Sequence, residues 1–174
     1  MKTLYLIRHA TAEDGSSSSM FRDFDRDLTS SGIIEAARMA KYLLSKQHSV
    51  DLLISSKANR ASATAKIMAE QWQMDTDAIQ LDDNIYGGGP RAYLAALNKL
   101  EESVNSVAIV GHNPDISFFG EYLTRDDTGG QMKKAGVLIM TFTDLKWAEI
   151  SNKSGNLAAY HDPKTILTEN EKRE

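Results

Sequence analysis

Leu4-Tyr5-Leu6-Ile7-Arg8-His9 sets four apolar residues against two basic ones. A short unbroken apolar run ended by polar residues reads as a strand buried on both faces. Val50 to Ile54, ended by Ser55-Ser56, and Val107 to Val110, ended by Gly111-His112-Asn113-Pro114, have the same character. Ile79-Gln80-Leu81 reads as a shorter strand. Between these runs the periodicity turns helical. Ile33, Ile34, Ala37, Ala40, Tyr42, Leu43 and Leu44 follow helical spacing behind Thr29 or Ser30 as N-cap. Ala58 to Trp72 is alanine-rich, and Tyr93, Leu94, Leu97 and Leu100 form a stripe that Pro90 can open at the first helical position. Asp115 to Leu123 is a further helix. This alternation predicts an α/β fold: a three-layer sandwich with a mostly parallel central sheet flanked by helices. Gly136 to Phe142 reads as a strong strand, and Trp147 to Ile150 and Leu157 to Tyr160 flank a turn at Asn152 to Gly155. They suggest a hairpin, so antiparallel edge strands complete the sheet. One domain over residues 1–163 is expected, followed by a polar tail, 164–174, that frays.

Composition narrows the class. The chain has 174 residues, of which 41% are hydrophobic and 25% charged, as one globular domain requires. It has no cysteine, which removes disulfides, thiolate metal sites and a cysteine nucleophile together. The net charge is −4 with no long basic run, so no nucleic-acid partner is expected. Apolar runs fall far short of the ~20 residues that span a bilayer, and Arg8-His9 interrupts the first one too early for a signal peptide. A cytoplasmic protein with no membrane partner is expected, and nothing calls for more than a monomer.

Ligands of open parallel sheets bind outside the carboxyl ends of the strands. Arg8-His9 ends the first strand, Ser55-Ser56 leads from the second to Arg60, and His112 ends the fourth. In a parallel sheet these ends share one edge. Two arginines and two histidines gathered there repel one another unless an anion sits between them, and the planar fork of arginine suits phosphate. Taken singly, each of these residues reads more simply as a polar strand end, a solvated helix residue or a turn.

Leu6-Ile7-Arg8-His9-Ala10-Thr11-Ala12 resembles the arginine–histidine signature of the histidine phosphatase superfamily, whose members share a phosphoglycerate-mutase-like fold. Ser55 to Ala65 resembles the second arginine block of that family, and Val110-Gly111-His112-Asn113-Pro114 its second histidine block. Asp25-Arg26-Asp27-Leu28-Thr29-Ser30-Ser31-Gly32 resembles the segment leading into the first helix. The small size and this segment are most similar to the SixA-type phosphohistidine phosphatases. The resemblance spans roughly residues 2–161, with the blocks in matching order. Ala10 stands where glycine is common, and Asp27 and Lys57 stand where proline is frequent.

The resemblance implies that His9 is the nucleophile and becomes a phosphohistidine. One of its ring nitrogens must be unprotonated and face phosphorus, with the other donating to a carbonyl or carboxylate. Arg8 and Arg60 would clamp the phosphoryl oxygens, Arg26 would be a fourth ligand, and His112 would donate a further hydrogen bond. No metal and no cofactor is implied. For a proton donor, Asp83 matches best by its spacing to Tyr86, and Asp23, three residues before Arg26, is the rival. The implied substrate is a phosphohistidine on a phosphotransfer or phosphocarrier protein. A small phosphomonoester, or a phosphate-binding module without catalysis, are the alternatives.

Other features have plainer readings. His48 suits a helix C-terminus, where a cation is mildly favoured. His161, near the last strand's end, reads more readily as a structural or surface residue than as a strand end beside the site. Gly87-Gly88-Gly89 is a turn before a proline-opened helix more readily than a phosphate cradle. The polar stretch Thr11 to Asp27, with its serine run, is a long loop whose Met20 and Phe21 could line a substrate mouth or pin the loop down. Trp72 and Trp147 are packing residues.

Overall fold

A computed structural model describes residues 1–15 and 23–172; Met20, Phe21 and the serine run lie outside the described residues. Strands β1 (Lys2–Arg8), β2 (Leu52–Ser56), β3 (Gln80–Asp82), β4 (Ser106–Gly111), β5 (Val137–Phe142) and β6 (Asn156–His161) form one sheet in the order β3-β2-β4-β1-β5-β6. The pairs from β3 to β1 are parallel, and β5 and β6 add antiparallel pairs. Helices α1 (Ser30–Ser45), α2 (Asn59–Gln71), α3 (Pro90–Asn98), α4 (Asp115–Leu123) and α5 (Pro163–Glu171) cover it.

Alternation along the central strands sorts side chains into the two cores. Tyr5 and Ile7 of β1, with Ala108 and Val110 of β4, pack under Met39 and Leu43 of α1 and Ala65 and Met68 of α2. Leu4, Leu6, Val107 and Ile109 face the other way, onto Tyr93 and Leu97 of α3 and Phe119 of α4. Both faces are apolar, which is why these strands read as continuous hydrophobic runs. The three-layer sandwich is therefore as expected.

Local chemistry fixes the element ends. Thr29 caps α1, its hydroxyl accepting from the Gly32 N–H at 3.0 Å. Pro90 opens α3 behind Gly87 and Gly89, whose φ values of +80° and +72° lie in the region that favours glycine. The Gly89 N–H donates to the Asp115 carboxylate at 3.2 Å, tying this turn to the start of α4.

Four readings need correction. Trp147–Glu149 is a short 3-10 turn and not a strand; its indole N–H donates to the Val104 carbonyl at 2.8 Å and the ring is fully buried. The hairpin is instead formed by β5 and β6. Residues 163–171 form α5, whose Ile166 is buried in the core shared with α1, so most of the expected tail belongs to the folded body. On α1 the buried face is Gly32, Ala36, Met39, Ala40, Tyr42 and Leu43, and Ile33, Ile34 and Leu44 lie half exposed beside it. His48 is held by the Tyr5 hydroxyl at Nδ1, 2.9 Å away, and burial lowers its pKa, so it is not a helix-end cation. His161 packs edge-on against Tyr42. Among the described residues no helix is long and apolar enough to cross a membrane.

Candidate active site

Parallel register brings the strand ends together. Arg8 is paired with Gly111 across β1 and β4, and Ser55 with Val110 across β2 and β4. The chain then leaves each strand at one edge, where the His9 N–H donates to the Gly111 carbonyl at 3.1 Å. α2 starts three residues beyond β2 and swings Arg60 over the same edge. Arg8, His9, Arg60, His112 and Arg26 line one cavity of about 380 Å³, together with Asp14, Asp23, Asn113 and Lys134.

His9 is buried, with its Nδ1 2.7 Å from the Ala10 carbonyl oxygen. A carbonyl only accepts, so Nδ1 carries the hydrogen and Nε2 carries the lone pair. The Arg60 Nε–H donates to that Nε2 at 3.3 Å. Burial, followed by the Arg60, Arg8 and Arg26 cations, lowers the His9 pKa to about 4, against the pull of the Ala10 carbonyl. The imidazole is neutral at pH 7, and its unprotonated Nε2, held only by the long Arg60 contact, is the nucleophilic nitrogen. The Ala10 N–H donates to the Thr64 hydroxyl, which in turn donates to the Arg60 carbonyl, so α2 holds the backbone just after His9.

The Arg8 Nη1 donates to the Met132 carbonyl at 2.9 Å, and the same carbonyl accepts from the Asn113 amide. The Arg8 Nε is buried with no partner. The His112 N–H donates to the Tyr93 hydroxyl at 3.0 Å, its Nε2 lies 2.8 Å from the Ser56 hydroxyl, and its Nδ1 is buried without a partner. Burial first, then His9 and Arg60, lower the His112 pKa to about 3. The His9 and His112 ring centres are 5.3 Å apart. Unpartnered donors among close-set cations are what a phosphoryl group would satisfy.

Asp23 stands in this cluster and Asp83 does not. The Asp23 carboxylate accepts from Arg26 Nε and Nη2, both at 2.9 Å, from Arg60 Nη2 at 3.0 Å and from the Tyr86 hydroxyl at 2.7 Å. Its backbone carbonyl accepts from Arg60 Nη1 at 2.7 Å. The Tyr86 hydrogen bond and the two arginines hold its pKa at about 2, so it is ionised here and serves as an internal anion on the guanidinium faces. Asp83 pairs with Lys57 at 2.8 Å, is 75% exposed, and lines a separate cavity of about 670 Å³ at the β3 edge. Asp83, expected from its spacing to Tyr86, stands outside the cavity of the histidines: Ser56 pairs with Asp82 in register, and the next residues, Lys57 and Asp83, form an ion pair.

Sequence reading left three neighbours of the site without a role. Tyr86 stacks edge-on against His112 and Phe24, with the Arg60 guanidinium over its ring. Lys134 lines the cavity from the loop before β5. Ser56 was legible only as a strand end. Among the described residues no group of three or more histidine or carboxylate side chains is placed to hold a metal ion.

A family model, the histidine phosphatase superfamily (branch 1), matches residues 4–85. A protein of Picosynechococcus sp. is 30% identical over 145 residues, covering 78% of this chain and 82% of the relative. The chain belongs to the histidine phosphatase superfamily. Among solved structures, the protein histidine phosphatase SixA complexed with tungstate superposes with a TM-score of 0.79 at 19% identity, over 94% of this chain and 99% of that one. A candidate phosphohistidine phosphatase SixA from Agrobacterium tumefaciens gives 0.76 at 26% identity, over 93% and 98%. The histidine phosphatase architecture thus extends well beyond the matched segment, through the strand that delivers His112.

Proposed function

We propose that this chain is a metal-independent phosphatase that works through a phosphohistidine on His9 and acts on phosphohistidine carried by a protein. The observation that carries the reading is the His9 ring, with Nδ1–H held by the Ala10 carbonyl and Nε2 left as a lone pair among Arg8, Arg60 and Arg26. In the first step Nε2 forms a bond to phosphorus while the bond from phosphorus to the leaving imidazole nitrogen breaks. A proton already on that imidazole leaves it neutral. In the second step water attacks phosphorus, the His9 N–P bond breaks, and inorganic phosphate and neutral His9 are regenerated. Arg8, Arg60 and Arg26 balance the charge on the phosphoryl oxygens, and His112 donates to one of them. Arg60 and Arg26 exchange Asp23 for the substrate when it enters. The protein-borne substrate is supported by the likeness to the SixA structures and by the aromatic rim of Tyr86 and Phe24, which suits an imidazole leaving group.

The test is phosphate release from a histidine-phosphorylated carrier protein by wild type and His9→Ala, in chelator, with p-nitrophenyl phosphate in parallel. Release by wild type, undiminished by chelator and reduced by at least ~10³-fold in the variant, is expected. Turnover of the ester alone would give the small-molecule reading in its place. No turnover of either would favour a binding module.

A further inference from the structure

The proposed mechanism asks His112 to present an N–H to the phosphoryl group, but a neutral imidazole has only one N–H and two places to carry it. We propose that Ser56 makes this choice: its buried hydroxyl donates to Nε2 of His112, so the ring proton sits on Nδ1 as the donor to the phosphoryl pocket. This rests on the phosphatase reading only for its catalytic consequence; the proton position itself follows from hydrogen-bond counting.

The Ser56 side chain is fully buried. Its oxygen has one hydrogen and two lone pairs. One lone pair is used by the Ala58 N–H, 3.1 Å away at the start of α2. The remaining close partner is Nε2 of His112, at 2.8 Å. Suppose that Nε2 carried the proton and donated to Ser56. The Ser56 hydroxyl hydrogen would then have no acceptor among the described residues, and Nδ1 would be a second buried group without a partner. With the hydroxyl as donor, every polar atom of the Ser56 and His112 side chains is satisfied except the Nδ1–H. Buried polar groups are nearly always paired, so the second arrangement wins. It leaves one orphan, and that orphan is a donor on a ring lining a cavity rich in cations, where a phosphoryl oxygen is the natural acceptor. The depressed pKa of His112 is consistent with a neutral ring, for which the tautomer matters.

The remaining contacts of His112 keep the ring in place while Ser56 selects its proton. Tyr93 holds its backbone N–H. Ser56 occupies Nε2 from β2, and the Ala58 contact orients the Ser56 oxygen from the turn into α2. Ser56 is therefore a positioning residue: it touches no substrate and acts through His112.

The test uses the full chain with ¹⁵N-labelled histidine at pH 7, the His112 signals being assigned with a His112→Gln variant. In the wild type the ¹⁵N shifts should report a protonated Nδ1 and an unprotonated Nε2. In Ser56→Ala, checked for an unchanged fold by thermal melting, His112 should move to a mixture or to Nε2–H. Ser56→Thr, which keeps the hydroxyl, should restore Nδ1–H. On p-nitrophenyl phosphate and on the phosphorylated carrier, Ser56→Ala should lower kcat about 10-fold, less than the ~10²-fold expected for loss of a whole donor, with KM little changed. An Nε2–H tautomer in the wild type, or the same tautomer in Ser56→Ala as in the wild type, would overturn the proposal. So would a rise in KM with kcat intact. The tautomer is read without turnover, so a wild type inactive on both substrates would defeat the phosphatase reading while leaving the assignment of the proton to the NMR result.

Discussion

At the scale of single residues, burial and charge decide what His9 can do. Its pKa is about 4 in the fold against 6.5 in an open chain, chiefly because burial disfavours the imidazolium. Between those pH values the unfolded chain binds more protons than the native one, so stability rises with pH there and is lost as pH falls. The expected outcome is a urea midpoint that falls from pH 6.5 toward pH 4, by up to about 1.4 kcal/mol per pH unit for this group. In an NMR titration of the unliganded protein the His9 ring should change protonation near pH 4; a midpoint at 6.5 would contradict the burial argument. The two aspartates should also separate. Asp83→Asn should leave turnover within about twofold, because an exposed ion pair with Lys57 contributes little. Asp23→Asn should tighten inhibition by inorganic phosphate several-fold, because it removes the carboxylate that competes for Arg60 and Arg26. Arg8, His9, Arg60 and His112 were legible in the sequence because each lies at or just after an apolar strand run. The aspartate that meets the arginines was not, because Asp23 and Asp83 differ in what they touch and not in any local pattern.

At the scale of elements, the end of β4 is where packing reaches the chemistry. A Cβ on Gly111 would fall 2.0 Å from the Tyr93 hydroxyl oxygen, and that hydroxyl accepts the His112 N–H. Gly111→Ala should therefore cost about 1–3 kcal/mol, typical of overpacking, and displace His112 as well. A drop in Tm with a parallel loss of kcat is the expected pair of observations; lost stability at full activity would separate Tyr93 from the site. Helices and strands up to α4 were readable because their apolar spacing is local. Trp147–Glu149 was misread for the same reason: an apolar Trp-x-x-Ile run looks like a strand. Here Glu149 reaches back to the Lys146 N–H at 2.8 Å and closes a turn.

At the scale of the molecule, α5 completes the layer formed by α1 and α2. Ile166 is 4% exposed within their core, and the Tyr42 hydroxyl donates to Glu169 at 2.6 Å. Ile166→Ala should lower the stability measured by urea unfolding by about 2–5 kcal/mol, the usual result of emptying a buried aliphatic site. A loss under about 0.5 kcal/mol would mean that this helix is the loose tail its polar composition suggested. The alternation of strands and helices, and with it a parallel sheet whose ends carry two arginines and two histidines, is legible in the unfolded chain. Those facts are written in short-range periodicity, which the chain shows without folding. That Asp23 and not Asp83 meets the arginines, that Tyr86 walls the site and that Ser56 meets His112 emerges only on folding. These contacts join residues far apart in the chain, and strand register and helix placement set them to within a hydrogen bond's length.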